Sequence, residues 1–149
     1  MTTKRLIALA EEALTRSIIG AFYEVYNTLG YGFLEHIYVR AMERELRSRG
    51  HDVGREVGVR ITYKGEELAI QRLDMIVDGV LVVEIKSTHR LSPEAPRQVY
   101  NYLKASSLPI GLLLHFGPEP RFYAQARPEP PPTPQFKDKE ESGNSGMQE

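Results

Sequence analysis

Two segments near the start of the chain carry apolar residues every three or four positions, which is the spacing of an amphipathic helix. The pattern predicts a first helix from Thr3 that ends at Gly30, and a second from about Phe33 to Arg49 with Gly50 at its C-terminal cap. The inward positions of the first are Ile7, Ala10, Leu14, Ile18, Phe22, Val25 and Leu29. Those of the second are Leu34, Ile37, Tyr38, Ala41, Met42 and Leu46.

Beyond Gly50 apolar and polar residues alternate, which is typical of a half-buried strand. The inward positions of this strand are Val57, Val59, Ile61 and Tyr63. A turn at Lys64-Gly65 leads to a second strand over residues 68–77, and a turn at Asp78-Gly79 leads to a third over residues 80–87. The three strands are predicted to form an antiparallel meander.

The next helix is predicted to start between Pro93 and Pro96, because proline is tolerated only in the first turn of a helix, and to end near Ser106. An apolar strand over residues 108–116 and an edge strand over 121–127 follow. The predicted fold is α/β, with a central mixed sheet of about five strands, one crossover helix, and the N-terminal helices packed on one face. Residues 1–127 would form one domain, and the proline-rich, charged segment 128–149 is predicted to be a disordered tail.

Composition excludes several classes of protein. The chain has no cysteine, which rules out a disulfide framework, and no apolar run of the roughly 18 residues that a membrane span needs. Acidic residues interrupt the apolar stretch at the start, unlike in a signal peptide, so a cytoplasmic protein is expected. The formal net charge is -1, with residues 1–127 at +2, which neither requires nor forbids contact with nucleic acid.

Three charged residues stand among the apolar residues of the predicted hairpin: Asp74, Glu84 and Lys86. Glu84 and Lys86 are two apart on one strand, so their side chains share a face. A two-residue turn would pair Asp74 with Val83 and place the two carboxylates on opposite faces. A three-residue loop, residues 77–79 with Gly79 left-handed, or a bulge, would place them on one face. An odd loop or a bulge is therefore predicted.

Two carboxylates on one face repel each other unless they share a proton or a hard divalent cation. Mg²⁺ fits best, with Mn²⁺ as a substitute, held by Asp74, Glu84 and the backbone carbonyl of Ile85. A water activated by the metal would attack a phosphorus atom, and Lys86 would orient that water or stabilise the transition state. The alternative, which the residues leave open, is an exposed Glu84–Lys86 salt bridge with Asp74 as an acid beside a turn.

At these residues the sequence resembles the PD-(D/E)XK nuclease superfamily, whose core motif is an Asp on one strand and Glu/Asp-x-Lys on the next. Here the motif is Asp74 followed by Glu84-Ile85-Lys86. More narrowly, residues 32–38, GFLEHIY, are similar to the motif of the GxxExxY family. The resemblance covers roughly residues 19–127 and implies a restriction-endonuclease-like core. Two positions depart from the pattern: Leu73 replaces the proline of the motif, and His115 stands where many relatives have asparagine.

The resemblance implies roles for three further residues. Glu35 would support the metal, directly or through water. The alternative is that Glu35 is an exposed acid at the N-terminus of a helix, where the helix dipole favours negative charge. Gln98 and Tyr102 match the Gln-x-x-x-Tyr motif of RecB-like members, where the pair positions the site or the strand; the alternative is a rim glutamine and a core tyrosine. The four histidines, which show no metal-ligand spacing, are predicted to be surface or loop residues.

The function predicted from these observations is a Mg²⁺-dependent nuclease that acts on nucleic acid, DNA in preference to RNA. Its catalytic residues would be Asp74, Glu84, Lys86 and Glu35. The rival is a nuclease-like module without activity that binds nucleic acid or a protein partner. Whether the chain needs a homodimer or a protein partner to hold a substrate stays open.

Overall fold

The structure is a computed structural model in which residues 2–128 are described. Its helices are α1 (Thr3–Leu29), α2 (Glu35–Ser48) and α3 (Glu94–Ala105), and its strands are β1 (Val53–Tyr63), β2 (Glu66–Val77), β3 (Leu81–Lys86), β4 (Ile110–Phe116) and β5 (Pro120–Ala126). All eight predicted elements are present. The predicted tail, except for Pro128, lies outside the described residues. No helix in the described part combines the length and the apolar character needed to cross a membrane.

The five strands form one mixed sheet in the order β1-β2-β3-β4-β5. β1, β2 and β3 are antiparallel neighbours, β3 and β4 are parallel, and β5 pairs antiparallel with β4 at the edge. A parallel pair needs a crossover connection, and α3 provides it. The predicted α/β fold is confirmed, and β3 lies in the middle of the sheet.

Two apolar clusters cover the two faces of the sheet. The first joins α1 and α2 to residues such as Val83 and Ile85 of β3, and the second joins α3 to Val82 of the same strand. β3 is therefore buried on both faces, like the strands of other parallel-type sheets. Glu84, which is only 7 % exposed, is an ionisable residue in the interior of the sheet.

Four residues that were predicted to face inward are exposed. Ile7 and Ala10 lie on the first turns of α1, before the part of the helix that packs on the sheet. Leu34 precedes α2 instead of belonging to its inner face, and Tyr63 lies at the end of a hairpin that the core no longer covers. Local periodicity describes the face of an element and not how far the core extends along it.

The turn between β2 and β3 has three residues, as the odd-loop prediction required. The pairs Met75–Val83 and Val77–Leu81 leave residues 78–80 as the loop, and both Asp78 (φ 52°) and Gly79 (φ 68°) are left-handed. The prediction of residues 77–79 was wrong by one position, because Val77 is still paired and buried in β2. This register brings Asp74 level with Glu84.

A polar chain from three distant segments holds this turn. The Asp78 carboxylate accepts a hydrogen bond from the backbone N–H of Asp52 at 2.8 Å and lies 2.8 Å from Nδ1 of His51. Nε2 of His51 lies 2.6 Å from Oγ of Ser17 on α1. The backbone N–H of Asp78 also donates to the carbonyl of Asp52 at 2.8 Å. The loop that sets the register of the two carboxylates is thus tied to α1 and to the start of β1.

Candidate active site

The site begins where β2 and β3 part. The regular pairing of the two strands ends at Met75–Val83, one residue before Asp74 and Glu84. Two side-chain hydrogen bonds continue in its place: the N–H of Asp74 donates to Oε1 of Glu84 at 3.1 Å, and the N–H of Ile85 donates to Oδ2 of Asp74 at 2.8 Å. Each carboxylate is fixed by the opposite strand through one oxygen. Within the described residues, the other oxygen of each carboxylate has no hydrogen bond.

The pairing of β1 with β2 is also interrupted level with Asp74. The two strands pair on both sides of the position where Glu56 faces Asp74, and Glu56 has a left-handed backbone (φ 52°) in mid-strand. Leu73 packs in the α3 cluster, while Met75 packs in the α1–α2 cluster, although residues two apart in a regular strand share a face. The side-chain direction of β2 therefore reverses at Asp74, where the carboxylate lies against β3.

Burial raises the pKa of both carboxyl groups, and the charge of Asp74 raises that of Glu84 further. Burial, and then the charge of Asp74, raises the pKa of Glu84 to about 8, against the hydrogen bond from the Asp74 N–H and the charge of Lys86. Burial also raises the pKa of Asp74, although the Ile85 N–H and Lys86 oppose it. In the metal-free protein at neutral pH, Glu84 therefore keeps its proton, which is the state that a pair of close carboxylates adopts when no cation is bound.

The other residues predicted from the sequence differ in how closely they approach the two carboxylates. Glu35 and Tyr102 approach closely enough for the charge of Asp74 to contribute to raising their pKa values, behind the larger effect of burial. Lys86 is half-buried, acts on the carboxyl groups of Glu35, Asp74 and Glu84, and takes part in none of the ion pairs of the described chain. Gln98 is exposed one helical turn before Tyr102.

The donor atoms of the pair suit a hard divalent cation. The N–H of Ile85 points at Asp74, and the two backbone groups of a strand residue point to the same side, so the Ile85 carbonyl faces the same gap. Two carboxylates and a carbonyl give an all-oxygen set, which is the type that Mg²⁺ and Mn²⁺ take. Across residues 2–128, no three acidic or histidine side chains cluster closely enough to hold a metal by themselves.

Comparison with known proteins identifies the family. The family model of the PD-(D/E)XK nuclease superfamily matches residues 12–126. This chain belongs to the PD-(D/E)XK nuclease superfamily. The match includes both strands that carry Asp74, Glu84 and Lys86, so the predicted superfamily is confirmed. Among curated proteins, none gives a significant match.

Two solved structures align with this chain. The crystal structure of SSO0001 aligns with a TM-score of 0.51 at 22 % identity, over 64 % of this chain and 52 % of that one. An alkaline exonuclease (LHK-Exo) from Laribacter hongkongensis aligns with a TM-score of 0.44 at 15 % identity, over 62 % of this chain and 55 % of its own. This chain thus spans about half the length of these structures. At this identity the first likeness shows the fold alone.

One histidine, His115, departs from the sequence prediction, whereas His51 lies in a loop as predicted but has hydrogen-bond partners that the sequence did not reveal. His115, on β4 level with Lys86, is only 5 % exposed, and its Nε2 lies 2.8 Å from the carbonyl of Thr88. His51 is half-buried between Ser17 and Asp78. His115 was detectable, because it interrupts the apolar run of a central strand. His51 was not, since its partners lie 34 and 27 residues away in the sequence.

Proposed function

We propose that this protein is a Mg²⁺-dependent nuclease that hydrolyses phosphodiester bonds in nucleic acid, DNA in preference to RNA. The observation that carries the proposal is the gap between β2 and β3, where two carboxylates converge and the pKa of Glu84 rises to about 8. A lysine outside any ion pair of the described chain lies beside them. Strongly perturbed groups of this kind cluster at functional sites. The choice of DNA and the GxxExxY assignment rest on the sequence resemblance.

Asp74, Glu84 and the Ile85 carbonyl would hold Mg²⁺ or Mn²⁺, and Glu35 would support the ion through water. When bound, the ion supplies Lewis acidity toward the phosphate and lowers the pKa of water at the site. Binding requires Glu84 to give up the proton that it holds in the metal-free protein. The carboxylates keep their orientation meanwhile, because the N–H groups of Asp74 and Ile85 hold one oxygen of each.

The remaining groups would act on the substrate. The ammonium of Lys86 can donate hydrogen bonds to the attacking water or to a phosphate oxygen as negative charge develops there. Tyr102, half-buried on the α3 side of the carboxylates, would orient the strand, and the exposed Gln98 would contact it from the same helix face. Lys86 and the carboxylates would be essential, whereas Gln98 and Tyr102 would affect positioning.

A cleavage assay tests the proposal. The purified protein should cut end-labelled single-stranded, duplex or branched DNA, or RNA, in the presence of Mg²⁺ or Mn²⁺ and not with EDTA. Asp74→Ala and Lys86→Ala should each lower the rate at least 100-fold, while Lys4→Ala, an exposed lysine at the start of α1, should not change it. Circular dichroism melts would confirm that all variants fold. No cleavage of any of these substrates would contradict the proposal.

Metal binding separates the nuclease from the inactive module. An ion that binds only the folded state raises the melting temperature, since occupancy at about 100 times Kd adds about 2.7 kcal/mol to stability. Mn²⁺ should therefore raise the melting temperature of the wild type by several degrees and leave Glu84→Ala unchanged. An equal shift in both proteins, or none, would favour a module that keeps the acidic cluster for structure.

A further inference from the structure

Three cavities with shared lining residues lie near the candidate site. The first, about 530 Å³, is lined by Asp74 and Glu35 together with Leu34, and we call it the carboxylate cavity. The second, about 480 Å³, also has Leu34 and Glu35 in its wall and extends to His89; we call it the aromatic cavity. The third, about 430 Å³, shares His89 with the second and contains Arg90; we call it the basic cavity. Neighbouring cavities share lining residues, Leu34 and Glu35 in the first pair and His89 in the second, so we treat the three together and call them the trough.

The middle of the trough presents large apolar side chains to solvent. Tyr31 is 57 % exposed, Phe33 is 46 % exposed and Leu34 is 69 % exposed, all within the connection between α1 and α2. Side chains that are this exposed contribute little to the hydrophobic core. Surface clusters of this kind usually mark a binding site.

The loop that carries these side chains is fixed from both ends. The hydroxyl of Tyr38 donates to the carbonyl of Gly30 at 2.8 Å and accepts from the N–H of Phe33 at 3.3 Å. The hydroxyl of Ser87, directly after β3, donates to the carbonyl of Phe33. The loop is thereby attached to the strand that carries Glu84 and Lys86. The backbone that carries the aromatic rings is consequently tied to the strand that carries Glu84.

Arginines lie at both ends of the trough, beside the acids Glu35, Glu56 and Asp74 at one end and Glu119 at the other. Arg55 and Arg72 line the carboxylate cavity, and Arg90 and Arg121 line the basic cavity. Arg55 and Arg121 have acidic partners at 3.2 and 2.8 Å, whereas Arg72 and Arg90 are in none of the ion pairs of the described chain. Arginines that are not neutralised by the protein are available to phosphate groups.

A polynucleotide strand carries groups that bind both the exposed aromatic rings and the unpaired arginines of the trough. Its phosphates pair with arginine, and its bases stack on aromatic rings, but only when the bases are unpaired and their faces are open. We propose that the trough binds a single-stranded polynucleotide, with a base on Tyr31, the more exposed of the two rings, and the backbone running between Arg72 and Arg90. The inference deepens the proposed function, on which it rests for cleavage: the substrate is a single strand or the frayed end of a duplex.

Binding can be measured without cleavage. Fluorescence anisotropy in EDTA, in the Asp74→Asn background, would compare a labelled oligothymidine, an oligouridine and a blunt duplex of equal length. The single strands should bind at least tenfold more tightly than the duplex. The ratio of the two single strands then tells whether the trough takes DNA or RNA.

Variants of the rings separate stacking from general apolar contact. Tyr31→Leu, added to that background, should weaken single-strand binding about tenfold, whereas Tyr31→Phe, which keeps the ring, should not. Tyr63→Ala removes a ring that is 61 % exposed at the tip of the β1–β2 hairpin, outside the trough, and serves as the matched control. Arg90→Ala should lower the slope of log affinity against log salt by about one.

Two results would overturn the inference: duplex binding as tight as single-strand binding, or an equal loss in Tyr31→Leu and Tyr63→Ala. These failures are distinguishable from failure of the proposed function. A protein that binds single strands through Tyr31 and cleaves nothing would keep the trough and lose the nuclease. One that cleaves duplex DNA internally, with no effect of Tyr31→Leu, would keep the nuclease and lose the trough.

Discussion

Replacing Glu84 by glutamine should make the metal-free protein more stable at alkaline pH. Glutamine keeps the shape of the side chain and an oxygen that can accept the Asp74 N–H, but it cannot ionise. In the wild type, raising the pH forces a charge into a site that is 7 % exposed and next to Asp74. The substitution removes that cost.

The size of the effect follows from the two pKa values of Glu84. Its pKa is about 8 in the folded protein against an ordinary value of 4.5, so the folded state holds a proton that the unfolded chain has lost. Unfolding then releases a proton, and stability must fall as the pH rises from 4.5 to 8. Relative to Glu84→Gln, the wild type should lose about 4 kcal/mol between about pH 5 and pH 9, since each pKa unit is worth about 1.4 kcal/mol.

Urea unfolding in EDTA at pH 5, 7 and 9, followed by circular dichroism, would measure this difference. The two proteins should have similar free energies of unfolding at pH 5. The variant should be more stable than the wild type at pH 7, and the difference should be larger at pH 9. Glu24→Gln, which changes an exposed glutamate on α1, is the control and should follow the wild type. Parallel curves for wild type and Glu84→Gln would refute the reasoning, because they would mean that Glu84 ionises as it does in the unfolded chain.

Three further predictions concern the metal, the turn and the packing of α3. Mn²⁺ affinity measured by calorimetry should rise as the pH increases toward 8, because the metal competes with the proton on Glu84, and a flat profile would argue against that competition. Asp78 should behave in the opposite way: burial raises its pKa, but the hydrogen bonds from His51 and the Asp52 N–H outweigh this and lower it. The ionised Asp78 carboxylate therefore stabilises the folded protein above pH 4, and this stabilisation is lost below pH 4. Asp78→Asn should lower the free energy of unfolding by about 1 kcal/mol at pH 7, and the difference from the wild type should disappear when urea unfolding is measured at acidic pH. Gly111→Ala should lower the free energy of unfolding by about 1–3 kcal/mol, because a Cβ there would lie 2.7 Å from the side chain of Val99 on α3. Gly54→Ala, where the nearest atom to the new Cβ is at 3.4 Å, is the control. Equal melting temperatures for the two variants would contradict the packing argument.

The sequence was sufficient for the elements because their periods were unambiguous. The change from a period of 3.6 to 2 after Gly50, and the prolines at 93 and 96, placed α2, β1 and α3 within a few residues of their observed bounds. The register of β2 and β3 was harder, since a slip of one residue changes the face of every side chain. The requirement that Asp74 meet Glu84 selected an odd loop correctly but left its residues one position off.

Features that depend on distant contacts were beyond the sequence. The left-handed conformation of Glu56 opposite Asp74 has no local signal, because glutamate is not a residue that favours positive φ. The chain from Ser17 through His51 to Asp78 joins three segments that become neighbours only after the helices pack on the sheet. Exposure of Tyr31 likewise depends on where the core ends.

The central claim is that the gap between β2 and β3 holds a divalent cation, and an anomalous difference map from a crystal soaked in Mn²⁺ tests it most directly. The account predicts a strong peak at ligand distance from both Asp74 and Glu84, with the Ile85 carbonyl turned toward it. The crystal should be soaked at a Mn²⁺ concentration that saturates the rise in melting temperature. The absence of a peak between the two carboxylates, or a peak only elsewhere, would contradict the claim.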